Sequence, residues 1–217
     1  VSSSVTTLTG TYDDFTAAGA LVADDTAGRI TGIDALAITL DDDATNNTAA
    51  NVGTVQALTS GVVTATVAGT TALTDLVNAT TGLVAGNDAL TITVADDALA
   101  AADLVTLDAT TTLPITLSGT AQAFSGSAAN VSSVFSSDGF TGIQADADIS
   151  IDSGTTTVAQ ANTLQPLTTG QITATISDTD LSTLGTLTGS AYDAGTGTGN
   201  TYTITVGDLA VNASDIN

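Results

Sequence analysis

Short stretches of alternating hydrophobic and polar residues recur along this chain. Stretches of one kind, which we call first-type strands, read AITL at 37–40, TITV at 91–94, ISI at 149–151 and YTITV at 202–206. Alternation with this period predicts β-strands that bury one face. The first isoleucines of these stretches, at positions 38, 92, 149 and 204, are about 55 residues apart, which is typical of repeat proteins.

A second kind of alternating stretch lies between the first-type strands. These second-type strands read VTTL at 5–8, VTATV at 63–67, ITL at 115–117 and ITATI at 172–176. Gly-Thr follows three of them, and Asp178-Thr179 follows the fourth. Because both kinds keep the same order, we predict a single elongated array of about four repeats, approximately residues 1–62, 63–113, 114–171 and 172–217.

The segments between strands contain apolar residues at helical spacing. The pattern predicts short helices within residues 12–22, 52–58, 71–79 and 98–107, with Asp96 capping the last of these. Residues 124–140, rich in Ser and Gly, are expected to form an irregular insert. Linkers of this length favour crossovers between parallel strands. We therefore predict an α/β solenoid with stacked parallel β-strands and short helical crossovers; the alternative is a pure β-solenoid.

The charge of the chain is strongly negative. All 23 acidic residues are Asp, the only basic residue is Arg29, and the net charge is −22. Nucleic acids and anionic membranes require Lys and Arg for binding, so neither is expected as a partner. No apolar run approaches the roughly 20 residues that cross a bilayer, so we predict no transmembrane segment.

Clusters of Asp follow the first-type strands and suggest a calcium site. Because Asp42, Asp96, Asp152 and Asp208 follow their strands at nearly equal offsets, stacking would align them in a column. Carboxylates without basic partners bind hard cations such as Ca²⁺. The candidate ligands are Asp41, Asp42, Asp96, Asp97, Asp152 and Asp208. The alternative role for these residues is to cap helices and form turns.

Catalytic chemistry is not expected. The chain lacks Cys and His, and therefore has neither a thiolate nucleophile nor an imidazole base. Paired carboxylates serve glycoside hydrolysis in other proteins, but this chain is only 3% aromatic and has no Trp to hold a sugar. We predict that it is not an enzyme.

Three phrases, VSSSVTTLTGTYDDF, TALTDLVNATTGLV and TITVADDALAAADLVTLDATTT, resemble giant bacterial extracellular cell-surface repeat proteins, familiar from cyanobacteria. The resemblance covers all four repeats and is strongest at residues 1–15 and 88–120. A Val-Asp-Ala-Ser phrase of those proteins is missing here. The resemblance implies export and a role in a surface layer, filament or adhesin, and it carries over no catalytic residue.

These observations together predict an extracellular structural protein, a subunit of a filament or surface layer. The last repeat stops before another second-type strand, and residues 1–11 supply that type, so we expect homopolymers that join head to tail. The alternative is an adhesin or binding module, in which residues 124–140 form the ligand surface for a glycan or protein.

Overall fold

A computed structural model of the chain describes residues 5–16, 34–41, 45–69, 71–189 and 199–207. These residues form a mixed α/β structure with short parallel strands. The described strands are β1 (Thr7–Gly10), β2 (Ala37–Leu40), β3 (Val63–Thr66), β4 (Ala89–Thr91), β5 (Thr93–Val94), β6 (Ala98–Ala100), β7 (Ile115–Leu117), β8 (Ala123–Ser125), β9 (Phe140–Thr141), β10 (Asp148–Thr156), β11 (Ile172–Ile176) and β12 (Thr201–Thr203).

Short helices lie between groups of one to three strands along the described chain. Those in the described residues are α1 (Tyr12–Thr16), α2 (Ala49–Gln56), α3 (Leu73–Leu76), α4 (Ala101–Asp108), α5 (Ala128–Ser136), α6 (Val158–Leu164) and α7 (Leu181–Leu184), with a 3₁₀ turn at Gln165–Leu167. The longest has nine residues, and no described helix is long and apolar enough to cross a membrane. The prediction of a mixed α/β structure is confirmed. The alternative, a pure β-solenoid, is wrong because the chain contains these helices.

The strands form three sheets in which every pair is parallel. The strand orders are β1-β2-β3-β4, β5-β7-β9 and β12-β11-β10-β8-β6. Each of the eight stretches predicted to be strands overlaps a strand of the structure. The prediction of parallel pairing is therefore confirmed.

Contacts divide the chain into two compact units, of which the first comprises residues 1–96, 103–119 and 138–142. It contains the first two sheets. Ile38 pairs with Val63, and Thr64 pairs with Ala89, so each pairing spans 25 residues of chain. Inward-facing aliphatic side chains such as Leu90 are fully buried, because alternate residues of a strand point to the same face.

The second unit comprises residues 97–102, 120–137 and 143–217 and contains the third sheet. Its core includes Ile149 and Ile172, which are paired across β10 and β11 and almost fully buried. Phe124 is fully buried, and its ring meets that of Phe135 edge to face at 4.9 Å. Such ring pairs add stabilisation beyond the area that they bury.

Two predictions about local structure are wrong. Residues 124–140 are not irregular: they contain most of β8 and all of α5, because the Ser127 hydroxyl accepts the Asn130 N–H at 3.2 Å and caps that helix. The helix predicted over residues 98–107 begins only at Ala101. The three residues before it form β6, because they pair with β8.

The other helix predictions hold with shifted bounds. The helices expected within residues 52–58 and 71–79 correspond to α2 and α3. The helix expected over residues 12–22 is present at Tyr12–Thr16, and residues 17–22 lie outside the described part of the chain. The four proposed repeat boundaries stay a prediction.

Candidate functional site

The Asp96-Asp97 pair binds backbone amides of other chain segments. An Asp96 carboxylate oxygen accepts the N–H of Leu73, the first residue of α3, at 2.9 Å. An Asp97 oxygen accepts the N–H of Ala121, also at 2.9 Å. Asp96 therefore caps a helix, as one of the two predicted roles requires. The capped helix, however, is α3, 23 residues earlier, and not the helix that follows Asp96.

The structure describes two of the four remaining calcium candidates, Asp41 and Asp152. Asp41 lines a cavity of about 190 Å³ together with Thr11, Tyr12, Asp13, Asn46, Asn47 and Asn51. Asp152 is exposed on β10, and Asp42 and Asp208 lie outside the described residues. Within the described part of the chain, the structure shows no group of three or more His, Cys, Asp or Glu side chains that could hold a metal ion. Calcium binding stays a prediction.

Hydrogen bonds that Asp side chains accept from distant backbone N–H groups recur in both units. In the second unit, Asp148 accepts the Gln171 N–H at 2.8 Å, and Asp178 accepts the Val158 N–H at 2.6 Å. These partners are 23 and 20 residues away along the chain. These carboxylates therefore link chain segments that are far apart in sequence. Hydrogen bonds with an ionised acceptor are stronger than neutral ones, which favours Asp in this role.

Asp88 forms the most buried of these links. Its side chain is only 8% exposed. One carboxylate oxygen accepts the Val63 N–H at 2.6 Å, and the other accepts the amide of Gln56 at 2.6 Å. The Gln56 side chain also exchanges two 2.9 Å hydrogen bonds with the backbone of Val84. Three chain segments thus meet at one buried, hydrogen-bonded carboxylate, as a buried charge requires.

Amide side chains make the matching links in the second unit. Asn200 is 6% exposed, accepts the Ile172 N–H at 3.0 Å and donates to Gln165. This arrangement resembles that of Asp88, because Val63 and Ile172 begin second-type strands and each pairs with a buried polar residue before a first-type strand. Gln122 and Gln144 additionally accept each other's backbone N–H at 2.9 and 3.0 Å.

A pair of hydroxyl residues precedes three second-type strands; we call these pairs the threonine corners. They are Thr59-Ser60, Thr111-Thr112 and Thr168-Thr169, and in each case the strand begins four residues after the first threonine. The first hydroxyl donates to a carbonyl beside the preceding first-type strand. The bonds are Thr59 to Leu36 at 2.6 Å, Thr111 to Leu90 at 2.9 Å and Thr168 to Ala147 at 2.5 Å.

The same hydroxyl also makes a hydrogen bond within the corner. It accepts the N–H two residues later, which belongs to Gly61, Leu113 or Gly170, at 2.8 to 3.1 Å. Gly61 and Gly170 lie against backbone carbonyls, and an added Cβ would approach them to 2.4 Å. Only a residue without a side chain fits these two positions without displacing the backbone.

The threonine corners are not among the features predicted from the sequence, although a signal is present. The first threonines, at positions 59, 111 and 168, follow the same spacing of about 55 residues as the strands. Threonine is common on any exposed strand, so the hydroxyls gave no indication of their partners. The hydrogen bonds connect residues 21 to 23 positions apart, which no local pattern indicates.

Two exposed carboxylates have pKa values below the usual 3.8. Hydrogen bonds from the backbone and side chain of Thr11 lower the pKa of Asp14 at the start of α1. Hydrogen bonds from the Ser182 hydroxyl, and then from Thr183, lower the pKa of Asp180, the N-cap of α7. In both cases the ionised form accepts donors that the protonated form would lose. Asp180 therefore caps α7, and Asp14, the third residue of α1, binds back to the residue that precedes that helix.

Comparison with known proteins gives no relative for this chain. No protein family, no curated protein and no solved structure matches it.

Proposed function

We propose that this chain is an extracellular structural protein, a subunit of a filament or surface layer that assembles with further copies of itself. The observation that carries the proposal is the recurring use of its polar side chains. The threonine corners and the buried Asp and Asn residues bind the backbone of a neighbouring strand segment. Side chains used in this way stabilise stacking of strands and are not directed at a substrate.

We further propose that the fold is an α/β solenoid in which one turn takes about 25 residues. Paired strands in the first unit support this length, because Ile38 pairs with Val63 and Thr64 with Ala89. First-type and second-type strands alternate as neighbours in β1-β2-β3-β4. A sequence period of about 55 residues then corresponds to two successive turns.

The role of such an array is mechanical. Parallel strands continue their backbone hydrogen bonds from one turn to the next, and small aliphatic side chains fill the interior. The net charge of −22 keeps the exterior hydrated and resists nonspecific association. Repulsion between copies is weakened by salt, because the screening length at 0.15 M is about 8 Å. Assembly is therefore expected to increase with ionic strength.

Electron microscopy of the purified chain, with calcium and with a chelator, tests the proposal. Filaments or layers in both conditions support self-assembly without a metal. Filaments only with calcium support self-assembly and also the predicted acidic sites. Isolated particles in both conditions, at high protein concentration and 0.15 M salt, would contradict the proposal and favour the adhesin alternative.

A further inference from the structure

The segment up to and including β12 has the same hydrogen-bonding pattern as the segment up to and including β4. Asp88 precedes β4 and accepts the N–H of Val63, the first residue of β3. Asn200 precedes β12 and accepts the N–H of Ile172, the first residue of β11. Superposing these two positions aligns residues 88–94 with residues 200–206, which read DALTITV and NTYTITV.

In residues 88–94, β4 and β5 each pair with a different strand. The residues of β4 pair with β3, and those of β5 pair with β7. Ile92 and Val94 accept the N–H groups of Thr116 and Ser118 at 3.0 and 2.8 Å. Their side chains are 1% and 0% exposed. The side chains of Ile92 and Val94 are therefore buried where the second-type strand β7 lies beside them.

In residues 200–206, only residues 201–203 have a neighbouring strand among the described residues. The residues of β12 pair with β11. Ile204 and Val206, which correspond to Ile92 and Val94, are 44% and 47% exposed. Exposed strand edges with apolar side chains attract further strands. The position that β7 fills in the first unit is free here among the described strands.

The strand β1 is the described second-type strand that fits this position. The strands β3, β7 and β11 each have a neighbour on both sides, whereas β1 pairs with β2 alone among the described strands. Residues 7–11 read TLTGT, and the segment that covers Ile92 and Val94, residues 116–120, reads TLSGT. The two segments differ by one serine in place of threonine.

We propose that residues 204–206 of one copy bind β1 of a second copy as a parallel strand. Thr93 pairs with Thr116 and Val94 with Leu117, so the equivalent register places Thr205 opposite Thr7 and Val206 opposite Leu8 of the second copy. The contact joins two different surfaces, and therefore repeats without closing into a symmetric dimer. This inference rests on the proposed self-assembly and assigns the surface through which it occurs.

Cysteine cross-linking tests the register directly, because the native chain contains no cysteine. The variants Thr7→Cys and Thr205→Cys are made separately, mixed and mildly oxidised. Paired strands lie about 4.8 Å apart, which suits a disulfide. We expect a disulfide-linked dimer of one copy of each variant, formed at least tenfold faster than with Thr54→Cys, an exposed residue on α2, in place of Thr7→Cys. Equal rates, or faster linkage of Thr205→Cys to itself, would overturn the proposal.

Charge substitution tests the same surface without a covalent bond. Ile204→Asp is expected to weaken self-association about tenfold or more in sedimentation velocity, because a side chain that is buried on binding becomes charged. Val105→Asp, at an exposed apolar residue of α4 that is 40% exposed, is the matched control. If both variants assemble like the native chain, the proposed surface is wrong while the proposed function stands. If the native chain itself does not associate, both fail.

Discussion

Thr111→Val removes one hydroxyl from a threonine corner and keeps nearly the same side-chain shape. In the native chain this hydroxyl donates to the carbonyl of Leu90 at 2.9 Å and accepts the N–H of Leu90 at 3.0 Å. It also accepts the N–H of Leu113 at 3.1 Å. Thr111 is 8% exposed and Leu90 is fully buried, so water cannot replace these bonds without a change in packing.

The expected loss of stability follows from the buried groups that remain. A buried donor without a partner raises the free energy of the folded state by about 1–3 kcal/mol. Valine leaves both polar groups of the Leu90 backbone without this partner, so we expect Thr111→Val to lower the free energy of unfolding by about 3 kcal/mol. At roughly 2–4 °C for each kcal/mol in a chain of this size, the melting temperature falls by about 6–12 °C.

Thermal and urea unfolding, followed by circular dichroism, measure this change. Thr111→Ser keeps the hydroxyl and is expected to lose less than about 1 kcal/mol. Thr64→Val removes an exposed hydroxyl from the outer face of β3 and is expected to be neutral or slightly stabilising. Equal stability of the Thr111→Val and Thr64→Val variants would refute the role assigned to the corners.

Three further predictions concern single residues. Gly170→Ala is expected to lower the melting temperature clearly, because its Cβ would meet backbone carbonyls at 2.4 and 2.5 Å, whereas Gly69→Ala, with no atom within 4 Å of its Cβ, is expected to be neutral or stabilising; similar melting curves for the two would contradict this. Asp88→Ala is expected to lower the free energy of unfolding in urea by about 2–4 kcal/mol, because Val63 loses a buried partner, while Asp88→Asn loses less, since Asn200 makes the equivalent bond; equal losses would show that the acceptor oxygen is unimportant. The pKa of Asp180 lies below 3.8, so its cap on α7 stabilises the folded state fully above about pH 4, and this stabilisation is lost as the pH falls through the folded-state pKa. An NMR titration of the Asp180 carboxyl with a midpoint at or above 3.8 would contradict the assignment.

The strands were predictable from the sequence because their signal is local. Stretches such as ITATI at 172–176 alternate apolar residues with threonine, and the structure forms β11 there. A strand that buries one face requires this alternation whichever neighbour it has. Parallel pairing was predictable because the linkers are long enough for crossovers.

The partners of the polar side chains were not predictable from local patterns. Asp96 precedes an Ala- and Leu-rich segment, a position that predicts a cap on the helix expected there. It caps α3 instead, because folding brings residues 23 positions apart into contact. The three residues of β6 were predicted to be helical for a related reason: their helix propensity is overridden by pairing with β8.

The number of residues between paired strands was also not predictable, because the two strand types alternate. Comparison of like stretches, such as those containing Ile38 and Ile92, gives a period of about 55 residues. In the structure a strand of the other type, β3, lies between β2 and β4. The period of the sequence and the step between neighbouring strands therefore differ by a factor of about two.

Diffraction from aligned assemblies of the full chain tests the central claim most directly. If the chain is a structural protein in which parallel strands stack within and between copies, the assemblies must show a strong repeat of about 4.8 Å along their long axis. The Ile204→Asp variant is then expected to form no such assemblies under the same conditions. Assemblies of the native chain without a repeat near 4.8 Å along that axis, or no ordered assemblies at any salt or calcium concentration, would contradict the account.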